Sequence, residues 1–278
     1  MDVKNRKVLC LPVLNKGTDT MKLPHIIKFL ENIAPPELAD ESDIGRIGLI
    51  LDRKNEVNHI ATSLDVTEHV LLEAAQSGAD LLVAHHTPIY EPVNRLSKTL
   101  ADTLKIALDN EISIYVMHTN YDRAQGGIND VLAGLLGLHH TRTIDMGRIG
   151  DNDPTNTEGL ARLTAQRLDT HVQYAGDHMV ESVMVLGGSG FRREYIEMAI
   201  DAGADALVSG ELRHDVIPYS KDISLIDATH YATENPAMRT LAGRLPVESV
   251  FIDSKPQVRV IVQQNSSGSH DLPDLPDS

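Results

Sequence analysis

The 278-residue chain has one cysteine, Cys10, no tryptophan, and an aromatic content of only 4%. A lone thiol excludes an internal disulfide and a thiolate-built metal site, so any metal falls to His, Asp and Glu, and the chain is expected in a reducing compartment. No apolar run approaches the roughly 18 residues of a membrane span. Lys and Arg number 25 against 40 Asp and Glu, a formal net charge of -15, and they form no cluster. That excludes a general nucleic-acid surface and disfavours anionic membranes. Met1 to Thr20 carries basic residues and a short apolar patch, Val8 to Leu14, without a convincing cleavage site, so it reads as a cytoplasmic leader to a core beginning near Met21. What is present is a hydrophobic share of 41%, enough over this length to bury one large or two modest cores.

The chain resembles itself. Leu71 to His86 (LLEAAQSGADLLVAHH) and Ile196 to Glu211 (IEMAIDAGADALVSGE) both run from a helix-like segment through Gly-Ala-Asp into a strand, with Gly78 and Gly203 as helix-ending glycines. Upstream of each copy lies a β-rich run, His59 to Leu64 and Ser182 to Leu186. Downstream come Ile112 to Asp122 and Ile223 to Glu234, each ending in His-x-x-x-acid. Strands alternating with helices favour right-handed crossovers, so the expected fold is α/β: two related α/β halves with largely parallel sheets and a metal site in the cleft between them. The expected divisions are a leader over 1–20, a first half over 21–140, a second half over 141–263 and a disordered tail over 264–278, which is rich in Ser, Asp and Pro. Helices are predicted from Pro24, through Leu96, Leu100, Leu104 and Leu108, and over Asp130 to Leu136 with Asn129 as the cap. Asp151 to Glu158, which contains Pro154, reads as a surface connection.

Leu81 to Ala84 has the composition of a buried strand, and His85-His86 falls at its carboxyl end, where open α/β sheets place ligands. Adjacent side chains on a continuing strand face opposite ways, so the two imidazoles meet one site only through a bend, or each serves its own ion. A centre with two ions about 3.5–4 Å apart needs a bridging carboxylate, and Asp122 and Glu234 stand in the repeated context. The candidate ligands are His85, His86, Asp122, His230 and Glu234, shared by two divalent ions. Imidazole with carboxylate suits iron, zinc, manganese or cobalt. His118 matches His230 in the repeat and is the candidate catalytic group, orienting Asp122 or moving a proton, with an ordinary buried histidine as the alternative. The Gly187-Gly188-Ser189-Gly190 turn either presents N–H groups to an anion or is glycine-rich for tight packing.

HHTPIY at His85 to Tyr90, HTNYD at His118 to Asp122, GGSG at Gly187 to Gly190 and DATHYATENP at Asp227 to Pro236 occur in this order. In this the chain resembles the NIF-three-like family, the GTP cyclohydrolase I type 2 homologues, from Met21 to about Val262. The resemblance implies a two-part α/β fold, a ring-like homohexamer and a dinuclear divalent metal site, and it places the family's ligands on the same five residues. Ser42 to Arg46 stands where the family usually has Trp-Asp-Asn, and the long middle insertion of some members is missing. The functional expectation is a metal-dependent hydrolase acting on a small cyclic or phosphorylated substrate, nucleotides included. The alternative is a non-catalytic metal-handling or regulatory interaction protein.

Overall fold

The computed structural model describes residues 20–261. The expected tail over 264–278, and the leader apart from Thr20, lie outside the described residues.

A two-stranded ribbon of β1 (Met21–Lys22) and β3 (Glu56–Val57) precedes two sheets. The first contains β2 (Gly48–Leu51), β4 (His59–Ser63), β5 (Leu81–Ala84), β6 (Ser113–Val116) and β13 (Glu248–Phe251), in the spatial order β13-β4-β5-β6-β2. Every pair in it is parallel except β2 with β6. The second contains β7 (His139–Ile144), β8 (Gly147–Asn156), β9 (Gln173–Ala175), β10 (Met179–Val185), β11 (Ala206–Ser209) and β12 (Ser224–Asp227), in the order β7-β8-β10-β11-β12-β9. Its centre, β10-β11-β12, is parallel and its flanks are antiparallel. The parallel trios β4-β5-β6 and β10-β11-β12 are the two copies of the internal repeat, and all four residues of β5, β6, β11 and β12 are buried. Strands covered on both faces by crossover helices need continuous apolar runs, which is what the sequence supplies.

In each copy a nine-residue helix, α2 (Glu68–Gln76) or α7 (Arg193–Asp201), leads through a left-handed glycine into the next strand. Gly78 has φ +74° and Gly203 φ +81°, values that cost a residue with a Cβ. The twelve-residue α3 (Lys98–Asp109) then crosses to β6, starting on a Ser97 side-chain cap.

Two local expectations are corrected. The helix α5 (Ile128–Leu136) starts at Gly127 without a side-chain cap, because Asn129 lies inside it and its amide bonds Asp122 O, Met146 O and Gly187 N–H instead. Pro154 lies within β8, not in a connection. It falls where the β8–β10 register shifts between Val180 and Ser182, and an irregularity of that kind tolerates a residue with no N–H to donate.

The halves also do not divide at one point in sequence. After β12 the helix α8 (His230–Ala242) crosses back, and β13 pairs in parallel with β4 of the first sheet. Ala237, Met238, Leu241, Leu245 and Val247 join Leu23, Ile26 and Leu30 of α1 (Leu23–Ile33) in the core beneath the first sheet. Burying such apolar side chains contributes about 1.5–3 kcal/mol each, and that fixes the return path. No helix among the described residues is long and apolar enough to cross a membrane.

Candidate metal centre

The site forms where the carboxyl ends of β5, β6 and β12 meet. β5 ends at Ala84 and the chain bends at the two histidines, so the N–H groups of His85 and His86 both reach Leu64 O, at 3.2 and 2.9 Å. That bend turns both imidazoles to one side, with ring centroids 4.9 Å apart. Past β6, His118 precedes the short helix α4 (Thr119–Arg123), which carries Asp122. Past β12, Thr229 caps α8 through its side chain, and one helical turn puts His230 and Glu234 on the same face.

All five candidate ligands converge. His86 Nε2, His230 Nε2 and Glu234 Oε2 lie 3.0 to 3.3 Å from one another. His85 Nε2 lies 3.7 Å from both Asp122 Oδ1 and Glu234 Oε1. Donor atoms about 2.1 Å from a shared cation sit roughly 3.0–3.4 Å apart, so the first group already has ligand spacing and the second is slightly open. Each group, His86 with His230 and Glu234, and His85 with Asp122 and Glu234, has its ligand atoms within 4.8 Å of one another and could hold a metal ion. Glu234 belongs to both, one oxygen to each.

The proton pattern agrees. His85 Nδ1–H donates to Met117 O at 2.9 Å, His86 Nδ1–H to Asp65 Oδ1 at 2.7 Å and His230 Nδ1–H to Glu211 Oε1 at 2.6 Å, so every Nε2 faces the site. An oxygen behind a ligating imidazole is the usual way to fix its tautomer and raise its basicity. His85 Nε2, Asp122 Oδ1 and Glu234 Oε2 are fully buried with no hydrogen-bond partner among the described residues. Burying such atoms unmet costs about 1–3 kcal/mol each; a cation in the His85 group would meet the first two, and one in the His86 group would meet Glu234 Oε2. The donor set and its unmet atoms fit divalent metal.

Burial pushes His85 down to about 4, so its ring is neutral and its lone pair free. Burial also works against charge on His86 and His230, but the hydrogen-bonded outer carboxylates Asp65 and Glu211 and the charge of Glu234 outweigh it and raise them to about 10 and about 9. Burial and the charge of Glu234 raise Asp122 to about 8. Glu234 is held well below its ordinary range, because the surrounding imidazoles overcome its burial.

His118 lies at the rim, its ring 4.9 Å from His85 and 5.8 Å from His86. Its Nδ1–H donates to Asp43 Oδ2 at 2.8 Å, and Asp43 also accepts from the N–H and hydroxyl of Thr119. Asp43 thus anchors the ring. Those hydrogen bonds overcome burial and lower Asp43 to about 2.

The Gly187–Gly190 turn packs against the site and does not cradle an anion. Gly187 N–H goes to Asn129, Gly188 N–H to Thr233 Oγ1 and Gly190 N–H to Ser209 Oγ, while a Cβ on Gly188, at φ +70°, would collide with Glu234 Oε1. The residues that sequence reasoning missed are the outer carboxylate Asp65, and Asp227, which accepts from the N–H groups of Glu211, Leu212 and Thr229; Glu211, at the end of the repeated segment, is the second outer carboxylate. Glu211 and Thr229 have φ of +64° and +67°, strained values that Asp227 holds in place. A cleft of about 120 Å³ opens onto His118, Asp122, His230 and Glu234.

The profile of the Duf34/NIF3 (NGG1p interacting factor 3) family matches residues 21–266. A Clostridium perfringens protein named "GTP cyclohydrolase 1 type 2 homolog" is 30% identical over 263 residues, covering 84% of this chain and 97% of that protein. A Methanocaldococcus jannaschii protein of the same name is 30% identical over 247 residues, covering 84% of this chain and 100% of that protein. The solved structure of reduced HcgD from Methanocaldococcus jannaschii superimposes with a TM-score of 0.75 at 28% identity, covering 84% of this chain and 99% of that one.

Proposed function

The chain belongs to the Duf34/NIF3 family, and from that premise we propose that it is a metal-dependent hydrolase with a two-ion centre. His86, His230 and Glu234 would hold one ion, and His85, Asp122 and Glu234 the other, with iron, zinc, manganese and cobalt as the candidates. The observation that carries this reading is the trio of buried, unpartnered atoms on His85, Asp122 and Glu234. Paired divalent ions supply Lewis acidity and lower the pKa of water at the site. The chain's own part is to aim three imidazole lone pairs through Met117 O, Asp65 and Glu211 and to exclude water from the inner ligands. His118, tethered to Asp43, is placed to carry a proton at the rim through Nε2.

The substrate in this reading is a small cyclic or phosphorylated molecule, with nucleotides among the candidates given the names of the relatives, and the assembly is a homohexamer. The protein reloaded with manganese, iron or zinc is screened against nucleotides and small phosphoesters beside Asp122→Ala, with mass measured by light scattering. Turnover by the native chain and not the variant supports the reading, and equal turnover by both removes the site from the chemistry. One observation favours metal handling without turnover: beyond the five ligands, most acid–base groups lining the cleft are tied to other partners, Asp40 to Arg123, Asp43 to His118 and Thr119, and Tyr195 to Met146. Tight metal binding without turnover on the whole panel selects that second reading.

A further inference from the structure

The cleft that exposes Asp122, His230 and Glu234 is lined on its other side by Ser189, Arg192 and Tyr195. Arg192 is exposed, sits at the N-cap of α7, and makes no side-chain hydrogen bond or ion pair among the described residues. This sets it apart from Arg46, which is paired with Glu91 beside the same cleft, and from Arg123, which is paired with Asp40 and Asp145. In a chain with a net charge of -15, an arginine facing a metal-type site without a carboxylate of its own is unusual. No side chain caps the first turn of α7, so its leading N–H groups add donors on the same side.

Charge balance shows what this wall lacks. The carboxylates that line the same cleft are already engaged, Asp40 by Arg123 and Asp43 by His118 and Thr119, so the guanidinium of Arg192 has no paired carboxylate among the described residues. We infer that Arg192 is the specificity residue of the cleft and binds the anionic group, phosphate or carboxylate, of a small substrate whose reacting end faces the metal ligands. A guanidinium presents paired N–H donors that match either oxyanion. This inference rests on the metal reading only for what the far end of the substrate meets.

The test is calorimetry with inorganic phosphate and with acetate on the native chain, Arg192→Ala and Arg192→Lys, each with and without added manganese, with metal content measured on the same samples. Arg192→Ala is expected to weaken binding of the preferred anion about tenfold to a hundredfold at unchanged metal content, and Arg192→Lys to recover part of it. Tighter binding of phosphate or of acetate names the anion. If Arg192→Ala binds both anions as the native chain does, the inference is overturned while the metal reading stands. If the native chain takes up no manganese, and none of iron, zinc or cobalt in its place, the metal reading fails, and the metal-free titrations still decide the role of Arg192. Arg192→Lys guards against loss of fold in the alanine variant.

Discussion

The two copies of the repeat reach the same site with the same spacing and put it to different uses. In the first, β5 ends in His85-His86, and the closing His118-x-x-x-Asp122 supplies one inner ligand, Asp122, while His118 is drawn to the rim by Asp43. In the second, Gly210-Glu211 stands where the first copy has the paired histidines, and the closing His230-x-x-x-Glu234 supplies two inner ligands. A Cβ on Gly210 would collide with the backbone of His230, so the glycine admits the start of α8, and Glu211 next to it holds His230 Nδ1. Glutamate in place of aspartate adds one methylene, and Glu234 reaches both donor groups where Asp122 reaches one. The repeat supplies the frame, and a few side chains divide it into one half with three of the candidate ligands and one half whose Glu234 is common to both donor groups and whose Glu211 supports His230.

The comparison breaks most completely at Glu234. Glu234→Ala removes the only carboxylate common to both donor groups, and metal content is expected to fall from about two ions per chain to near none, read by elemental analysis with circular dichroism as the control on fold. An ion retained in full would show that the two groups are independent. Asp122→Ala is expected to cost only the ion of the His85 group and leave about one per chain, and loss of both would make the first copy as central as the second.

Acidity sharpens the same contrast. His86 and His230 are raised to about 10 and about 9, so at neutral pH a bound metal must displace their protons, and affinity is expected to rise at least about tenfold per pH unit from 7 to 9. Calorimetry in buffers of different ionisation heat counts the released protons, and zero release would contradict the assignment. In the metal-free chain, the raised pKa of His86 contributes stability that is fully present below about 6.5 and is lost as pH rises through about 10. The smallest effects belong to the outer carboxylates, where Asp65→Asn and Glu211→Gln each weaken metal by about 10–100-fold. Asp65 is 33% exposed and Glu211 56%, so the first is expected to cost more, and equal costs would mean that screening by solvent does not distinguish the copies.

Much of this was legible in the sequence because it is local. Buried-strand runs, Gly78 and Gly203, and the two His-x-x-x-acid closures follow from neighbouring residues and need no partner to be recognised. Asp65, and the parts that Asp43 and Glu211 play, were not legible, because an isolated carboxylate shows no such role until it lies behind a particular Nδ1, 21, 75 or 19 residues away in the chain. Asn129 and Pro154 misled for a related reason, since local cap and turn preferences gave way to a buried amide network and to an irregular strand pairing.

By itself the sequence determined the repeated βαβ frame, the absence of thiolate ligands and the five imidazole and carboxylate groups at strand ends, because composition and short-range periodicity specify strands, turns and donor chemistry. Tertiary structure alone decided that α8 and β13 return to the first sheet, that Glu234 faces both donor groups, and that each inner imidazole is backed by an oxygen. Those outcomes depend on where apolar faces find cover and on which buried polar atoms find partners, and both are settled only when distant segments pack.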